Sequence, residues 1–258
     1  MVVSNLYYVL QSYGDSRVFG ESYGAGPVRV VWLHGWARQA HDFAAAARLL
    51  AERGVASVAL DLPGSGASTV PSEAGGARHY ADLIVPALRD VGDGPIVLVG
   101  HSFGGRIAVV VASQHPELVD RLVVTGAPLV RLHAPARAPL AYRTLRWMAR
   151  RHLVSAARLE SARRKYGSSD YRNAQGVMRD VLVANVRESY EPELSALEMP
   201  VSFVWGEHDV EVPYAVATRA ASLVKSQTTM TVLDGVGHLL PLEVPEALVD
   251  AVVVALRQ

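Results

Sequence analysis

The 258 residues predict an α/β protein, a mostly parallel sheet with helices on both faces. Three observations carry this prediction. Short, β-branched apolar runs recur with little polar alternation, as strands buried on both faces require. Ala- and Leu-rich segments with helical spacing lie between them, and such alternation implies crossovers joining parallel neighbours. Half of the residues are apolar and 19% are charged, so the chain can bury a large core and intrinsic disorder is excluded.

The elements follow in order. Leu6 to Leu10 and Ser16 to Gly20 flank a polar turn at Gly14-Asp15 and predict a leading antiparallel hairpin. Strands are then expected at Val28 to Leu33, Ala56 to Leu60, Ile96 to Val99, Leu122 to Val124, Val201 to Trp205 and Thr229 to Leu233. Helices are expected over Asp42 to Glu52, Tyr80 to Leu88, Phe103 to Gln114 and Pro245 to Leu256. Between about Pro128 and Glu198 the strand signal stops and helix-compatible sequence dominates. So long a span inside an alternating fold reads as a helical insertion rather than a linker. The expected division is a core of residues 1–127 and 199–258 with a helical cap over 128–198. That cap holds 13 Lys+Arg against 7 Asp+Glu, and the remainder 12 against 18.

Composition excludes several functions. The 25 basic and 25 acidic residues cancel, so no globally basic nucleic-acid binder is expected. There is no cysteine, which removes disulfide scaffolds, thiolate zinc sites and cysteine nucleophiles. The opening Met1 to Leu6 has no basic n-region, and no apolar run reaches the roughly 18 residues that span a bilayer. The expectation is a cytoplasmic protein without membrane insertion.

The stretch that carries chemistry is Ile96-Val97-Leu98-Val99-Gly100-His101-Ser102-Phe103-Gly104-Gly105. It is an apolar strand, then Gly-x-Ser-x-Gly, then a helix. A strand turning sharply into a helix crowds its flanks, so positions 100 and 104 must lack a Cβ. The apex serine is strained and exposed, above a helix N-terminus whose free N–H groups suit an oxyanion. A serine needs a base, and the base needs an orienting acid. In this kind of fold they follow in the order Ser, acid, His, each after a later strand. Gly206-Glu207-His208-Asp209-Val210-Glu211 follows one such strand, and Asp234-Gly235-Val236-Gly237-His238-Leu239 the next. Asp209 and His238 stand in the required places, with Glu207 and Glu211 as the other carboxylates within reach of the acid's role. His41 and Asp42 have no recognisable metal-ligand spacing, and Asp42 suits a helix N-terminus. Gly64-Ser65-Gly66 lacks the Lys-Ser/Thr ending of a phosphate loop.

With these blocks the chain resembles the α/β-hydrolase family over almost its whole length. The matching pieces are Leu33-His34-Gly35-Trp36, Asp61-Leu62-Pro63-Gly64-Ser65-Gly66, Gly100-His101-Ser102-Phe103-Gly104-Gly105, Trp205-Gly206-Glu207-His208-Asp209 and Gly237-His238. The resemblance implies an eight-stranded, mainly parallel sheet with a cap after the sixth strand. It implies Ser102 as nucleophile, His238 as base and Asp209 as its orienting acid. It further implies an oxyanion hole from the backbone N–H groups of Phe103 and Trp36, with no metal and no cofactor. His34 and His101 flank the site as packing or hydrogen-bonding groups. Within the family, serine at the elbow implies acyl transfer from an ester or thioester, where dehalogenases and epoxide hydrolases carry Asp. The fold also hosts receptors, so the fold alone does not settle activity.

From Arg131 to Arg172 eleven Lys+Arg stand against Glu160 and Asp170 alone. They are Arg131, Arg137, Arg143, Arg146, Arg150, Arg151, Arg158, Arg163, Arg164, Lys165 and Arg172. One reading is a solvated helical face. The other is an anionic partner. The chain is similar here to carboxylesterases and to pimeloyl-carrier-protein methyl esterases, whose resemblance implies an acidic acyl carrier protein or coenzyme A at the cap. Lyases of the menaquinone pathway imply a small anionic substrate instead. Leu140, Leu145, Trp147, Met148 and Leu153 interleave with the arginines, and with Leu239 they are expected to cover the serine and line a pocket for a small ester.

Overall fold

The computed structural model describes residues 8–15, 17–132, 139–166 and 169–257. One eight-stranded sheet organises the chain, in the order β1-β2-β4-β3-β5-β6-β7-β8. β1 (Val9–Tyr13) and β2 (Val18–Tyr23) pair antiparallel, and β2 is antiparallel to β4 (Ala56–Leu60). All further pairings, through β3 (Val28–Leu33), β5 (Ile96–His101), β6 (Val119–Thr125), β7 (Val201–Gly206) and β8 (Thr228–Leu233), are parallel. Each parallel step is a crossover through helix, which is why the strand and helix runs alternate in sequence.

The central strands are apolar throughout because both faces are covered. Every residue of β4 and β5 is buried. On one face α1 (Ala44–Glu52) and α11 (Pro245–Arg257) join a cluster that includes Val30, Trp32, Phe43, Leu50, Val99 and Val249. Trp32 and Phe43 stack there with ring centroids 5.2 Å apart. On the other face α2 (Ala77–Val91) packs against α3 (Phe103–Gln114), with the Tyr80 and Phe103 rings 4.9 Å apart and edge-on. The edges differ: four of the five residues of β1 are exposed, and β8 has no fully buried residue.

The first hairpin departs from the sequence expectation. Pairing runs from Val9↔Ser22 to Tyr13↔Val18, so both strands lie two to three residues later in the chain than Leu6 to Leu10 and Ser16 to Gly20. Gly14 and Asp15 both have φ of 56°, which closes the chain tightly after Tyr13. Leu6 and Ser16 lie outside the described residues. Asp42 opens no α-helix: it sits in a short 3-10 turn, Ala40–Phe43, ahead of α1. α2 is longer than expected, because the carboxylate of Glu188 accepts the Ala77 N–H at 2.8 Å and caps a turn the sequence does not announce.

The chain divides into two compact units. The first holds the sheet and comprises residues 1–71, 77–132 and 188–258. Within it, α8 (Glu191–Ala196) and α9 (Tyr214–Ala221) precede and follow β7, and Tyr190 N–H donates to the Leu129 carbonyl at 3.1 Å. Arg78 ties the same region, donating to Glu193 at 2.6 Å and to the Ser189 carbonyl at 2.9 Å. The second unit comprises residues 72–76 and 133–187, with α4 (Leu140–Arg150), α5 (Ala156–Tyr166), α6 (Ser169–Asn173) and α7 (Gly176–Asn185). Glu160 organises it, accepting from Arg179 at 2.9 Å and Tyr171 at 3.0 Å and lying 3.6 Å from both Arg163 and Arg164.

Leu98 is fully buried at the middle of β5. Replacing it with alanine leaves a cavity at the sheet's centre and is expected to cost about 2–5 kcal/mol. In a chain this size that lowers Tm by roughly 5–15 °C. A calorimetric shift below about 1 °C contradicts the central placement of this strand.

Candidate active site

β5 delivers Ser102 at the point where strand becomes helix. Its φ of 52° and ψ of −110° put a non-glycine residue in the left-handed half of the backbone map. The turn is possible because its neighbours lack side chains. A Cβ on Gly100 would stand 2.6 Å from the Gly104 carbonyl oxygen, and one on Gly104 would run into the Leu33 backbone. Gly105 is equally crowded, 2.6 Å from the Ala127 Cβ, a requirement the Gly-x-Ser-x-Gly pattern does not state. Two backbone bonds lock the turn: Ser102 N–H to Thr125 at 2.9 Å and Gly104 N–H to His34 at 3.0 Å.

Phe103 is the first residue of α3, so its N–H is among those a helix leaves without an intrahelical acceptor. Trp36 follows Gly35 on the loop after β3, and its ring meets that of Phe103 edge-on at 5.7 Å. Close approach of this loop depends on Gly35, whose Cβ would lie 3.4 Å from that of Ser102.

The loops after β7 and β8 lie against each other. His208 N–H donates to Val236 at 2.9 Å and Glu207 N–H to Leu233 at 3.0 Å. A side chain on Gly206 would strike the Gly237 and Val236 carbonyls. This contact brings Asp209 to His238, whose Nδ1–H donates to Oδ2 at 2.8 Å. Oδ1 accepts the N–H groups of Glu211 at 3.0 Å and Val212 at 2.8 Å, and Trp205 Nε1 pins the loop through the Val212 carbonyl at 2.8 Å. Of the three nearby carboxylates, Asp209 alone meets Nδ1. Glu207 accepts from Gly235 N–H at 3.3 Å, and Glu211 lies 3.7 Å from Nε2. Glu243, absent from the sequence expectations, braces the histidine loop by accepting Gly237 N–H at 2.7 Å and Leu239 N–H at 3.0 Å.

The serine and histidine loops meet around Gly126, which follows β6 with φ of 56°. A Cβ there would lie 3.0 Å from His238 Cε1 and 3.1 Å from His101 Cε1. The two imidazoles are 4.9 Å apart, and the carbonyl of Thr125, the residue before, holds Ser102.

Burial separates the histidines electrostatically. Desolvation pulls the His238 pKa down, but the hydrogen bond and charge of Asp209, helped by Glu211 and Glu243, outweigh it and leave the pKa raised. Burial, with the neighbouring charge of His238, pushes His101 down to about 3. His34 is lowered by burial and has both nitrogens in use, Nδ1–H to Gly35 at 2.8 Å and Nε2 accepting Leu62 N–H at 2.9 Å. It fastens the loop after β3 to the loop after β4. In that second loop Asp61 accepts Ala40 and Ala67 N–H groups at 2.8 and 2.9 Å, and a Cβ on Gly66 would overlap its carboxylate. Asp42 pairs with Arg38 through two contacts.

The family model for the α/β hydrolase fold matches residues 28–147. The chain has the α/β-hydrolase fold. It is 39% identical over 130 residues to a pimeloyl-[acyl-carrier protein] methyl ester esterase of Chromobacterium violaceum, a match covering 48% of each chain. It is 26% identical over 253 residues to an uncharacterized hydrolase of Bacillus subtilis, covering 89% of this chain and 90% of that one. The chain spans about half, or less, of the length of the first curated relatives it matches. Among solved structures, a 2-hydroxy-6-oxo-6-phenylhexa-2,4-dienoate hydrolase of Rhodococcus shares the fold with a TM-score of 0.72 and 21% identity, over 97% of this chain and 99% of that one.

The remaining expected pocket residues are placed as follows. Leu239 is half-buried beside His238. Leu140 and Trp147 lie on α4 of the second unit and are 75% and 55% exposed, with the Arg151 guanidinium 5.5 Å above the Trp147 ring. Arg137 lies outside the described residues. No described helix is long and apolar enough to cross a membrane.

In an NMR titration the His238 ring is expected to protonate with a midpoint above ~6.5, and Asp209→Asn to lower it by about one unit or more. His101 stays neutral from about pH 5 to 8. A wild-type His238 midpoint below about 6 contradicts the balance of burial and charge described above.

Proposed function

We propose that this protein is a serine esterase of the α/β-hydrolase family that cleaves carboxylic esters through an acyl-enzyme on Ser102. The observation that carries the reading is the Asp209–His238 hydrogen bond on loops that converge with the strained serine turn. Ser102 Oγ attacks the carbonyl carbon while His238 Nε2 takes its proton, and Asp209 holds the Nδ1–H tautomer and balances the imidazolium. The tetrahedral oxyanion is received by the N–H groups of Phe103 and Trp36, each such donor being worth about 2.7–4 kcal/mol. Nε2–H then protonates the leaving alcohol as the C–O bond breaks. Water, deprotonated by the same nitrogen, attacks the acyl-enzyme, and the proton returns to Ser102 as acid and free enzyme separate. The sequence needs neither metal nor coenzyme. Leu239, beside His238, is proposed to contact the acyl group, and residues 128–198 are proposed as a helical cap insertion.

Ser102→Ala is expected to lower turnover of p-nitrophenyl acetate on the order of 10⁴- to 10⁶-fold while Tm changes little. Wild-type kcat/KM falls in acid with a midpoint above ~6.5, because the base must be neutral. Near-normal hydrolysis by the serine variant rules the reading out.

A second reading concerns how the ester is presented. The second unit carries twelve Lys+Arg against four Asp+Glu. Arg143, Arg150 and Arg151 are exposed and form no salt bridge among the described residues. Such a surface suits an acidic acyl carrier protein or coenzyme A, and a relative is named for a carrier-bound methyl ester. Charge attraction of this kind acts mainly on encounter and weakens with salt. Arg150→Glu with Arg151→Glu is expected to raise KM for a carrier-bound ester several-fold, less so at about 0.5 M salt, and to spare p-nitrophenyl acetate. Equal effects on both substrates contradict it.

A further inference from the structure

The turn that caps Asp209 also carries a second carboxylate to the opposite side of the same imidazole. Glu211 and Val212 give their N–H groups to Asp209 Oδ1, and this bend turns the Glu211 side chain back toward His238. Its Oε2 lies 3.7 Å from Nε2, while Asp209 Oδ2 lies 2.8 Å from Nδ1. The two carboxylates differ in setting. The Asp209 side chain is 1% exposed and that of Glu211 68%. At 3.7 Å the second contact is too long for a hydrogen bond and acts as an ion pair with the protonated ring.

On the proposed mechanism Nε2 is where the proton passes to the leaving alcohol, so a charge beside Nε2 stands beside the alcohol part of the ester. We propose that Glu211 is a specificity-determining residue whose carboxylate favours esters with a cationic or neutral alcohol part and disfavours anionic ones. The proposal rests on the serine-esterase reading and adds to it the charge class of the leaving group. Among the described residues, Glu211 forms no salt bridge to a basic side chain other than His238. The other titratable groups facing His238 are Asp209 on the same loop, Glu243 on α10 (Leu240–Glu243) and His101 at the end of β5. Asp209 is spent on Nδ1, Glu243 accepts the Gly237 and Leu239 amides, and His101 is held neutral by burial. Glu211 and Glu243 are the exposed members of the set, and of the two it is Glu211 that lies 3.7 Å from Nε2. Substrates reach it through solvent, so its effect is modest and sensitive to salt.

The test uses three butyrate esters with one acyl group: choline butyrate, its neutral isostere 3,3-dimethylbutyl butyrate, and anionic 3-sulfopropyl butyrate. Hydrolysis is followed by pH-stat for the wild type, Glu211→Gln and Glu211→Lys. The ratio of kcat/KM for the cationic over the anionic ester is expected to fall about 2- to 5-fold in Glu211→Gln and further in Glu211→Lys, with the differences shrinking at about 0.5 M salt. The acid limb of kcat/KM moves down by about 0.2–0.7 pH unit in Glu211→Gln, which a purely structural role does not produce. Ratios unchanged within about 1.5-fold in both variants, in an enzyme that Ser102→Ala inactivates, overturn the proposal and leave the esterase reading standing. Activity surviving in Ser102→Ala overturns the esterase reading itself.

Discussion

The steric constraint on the turn between β5 and α3 governs the arrangement of the site. The backbone there passes within side-chain distance of itself and of β3, so Gly100, Gly104 and Gly105 carry no Cβ because none fits. The same crowding forces Ser102 to a positive φ. Strain of this kind costs on the order of 1–3 kcal/mol and persists only where its surroundings over-determine it. Here they do: β5 is buried along its whole length, and the Thr125 and His34 carbonyls hold the turn from both sides. The core therefore fixes the serine, and no loop has to find it.

A second layer of order comes from contact between the last two strand-end loops. The meeting of Gly206 with Val236 and Gly237 sets the Asp209–His238 distance. Both ends of that pair are then braced by backbone amides, Asp209 receiving two and Glu243 receiving two more beneath the histidine. Burial and charge act on the neighbouring imidazoles in opposite senses. His101 and His34 are held neutral by desolvation, whereas His238 keeps a raised affinity for its proton. One of the three histidines gathered here is thus tuned to gain and lose a proton near neutrality.

Much of this was legible in the sequence. The buried strands are readable because a parallel sheet covered on both faces needs uninterrupted apolar runs, and Val30 to Leu33 and Ile96 to Val99 supply them. Ser102, Asp209 and His238 are readable because chain order and strand-end position constrain them together. What was not legible depends on partners far away in the chain. The start of α2 is set by Glu188, 111 residues on. The register of the first hairpin is set by the Gly14-Asp15 turn and by β2 pairing with β4, so the apolar run Leu6 to Leu10 was a poor guide. Glu211 reads only as another carboxylate within reach of the acid's role and Glu243 gives no signal, because the roles they take exist only once two loops have bent. Leu140 and Trp147 read as pocket residues because they interleave with arginines, yet interleaving alone does not say what an apolar position faces, and both are exposed on α4.

The net charge of zero conceals a division. The unit of residues 72–76 and 133–187 is strongly basic, and the unit that carries the sheet is correspondingly acidic. The central claim, that Asp209 and His238 make the Ser102 hydroxyl reactive, is tested most directly by intact-protein mass spectrometry after reaction with a fluorophosphonate. The account predicts one adduct per chain, mapped to the peptide containing Ser102, and its loss in His238→Ala. Ester hydrolysis that persists in a protein taking no label at Ser102 contradicts it.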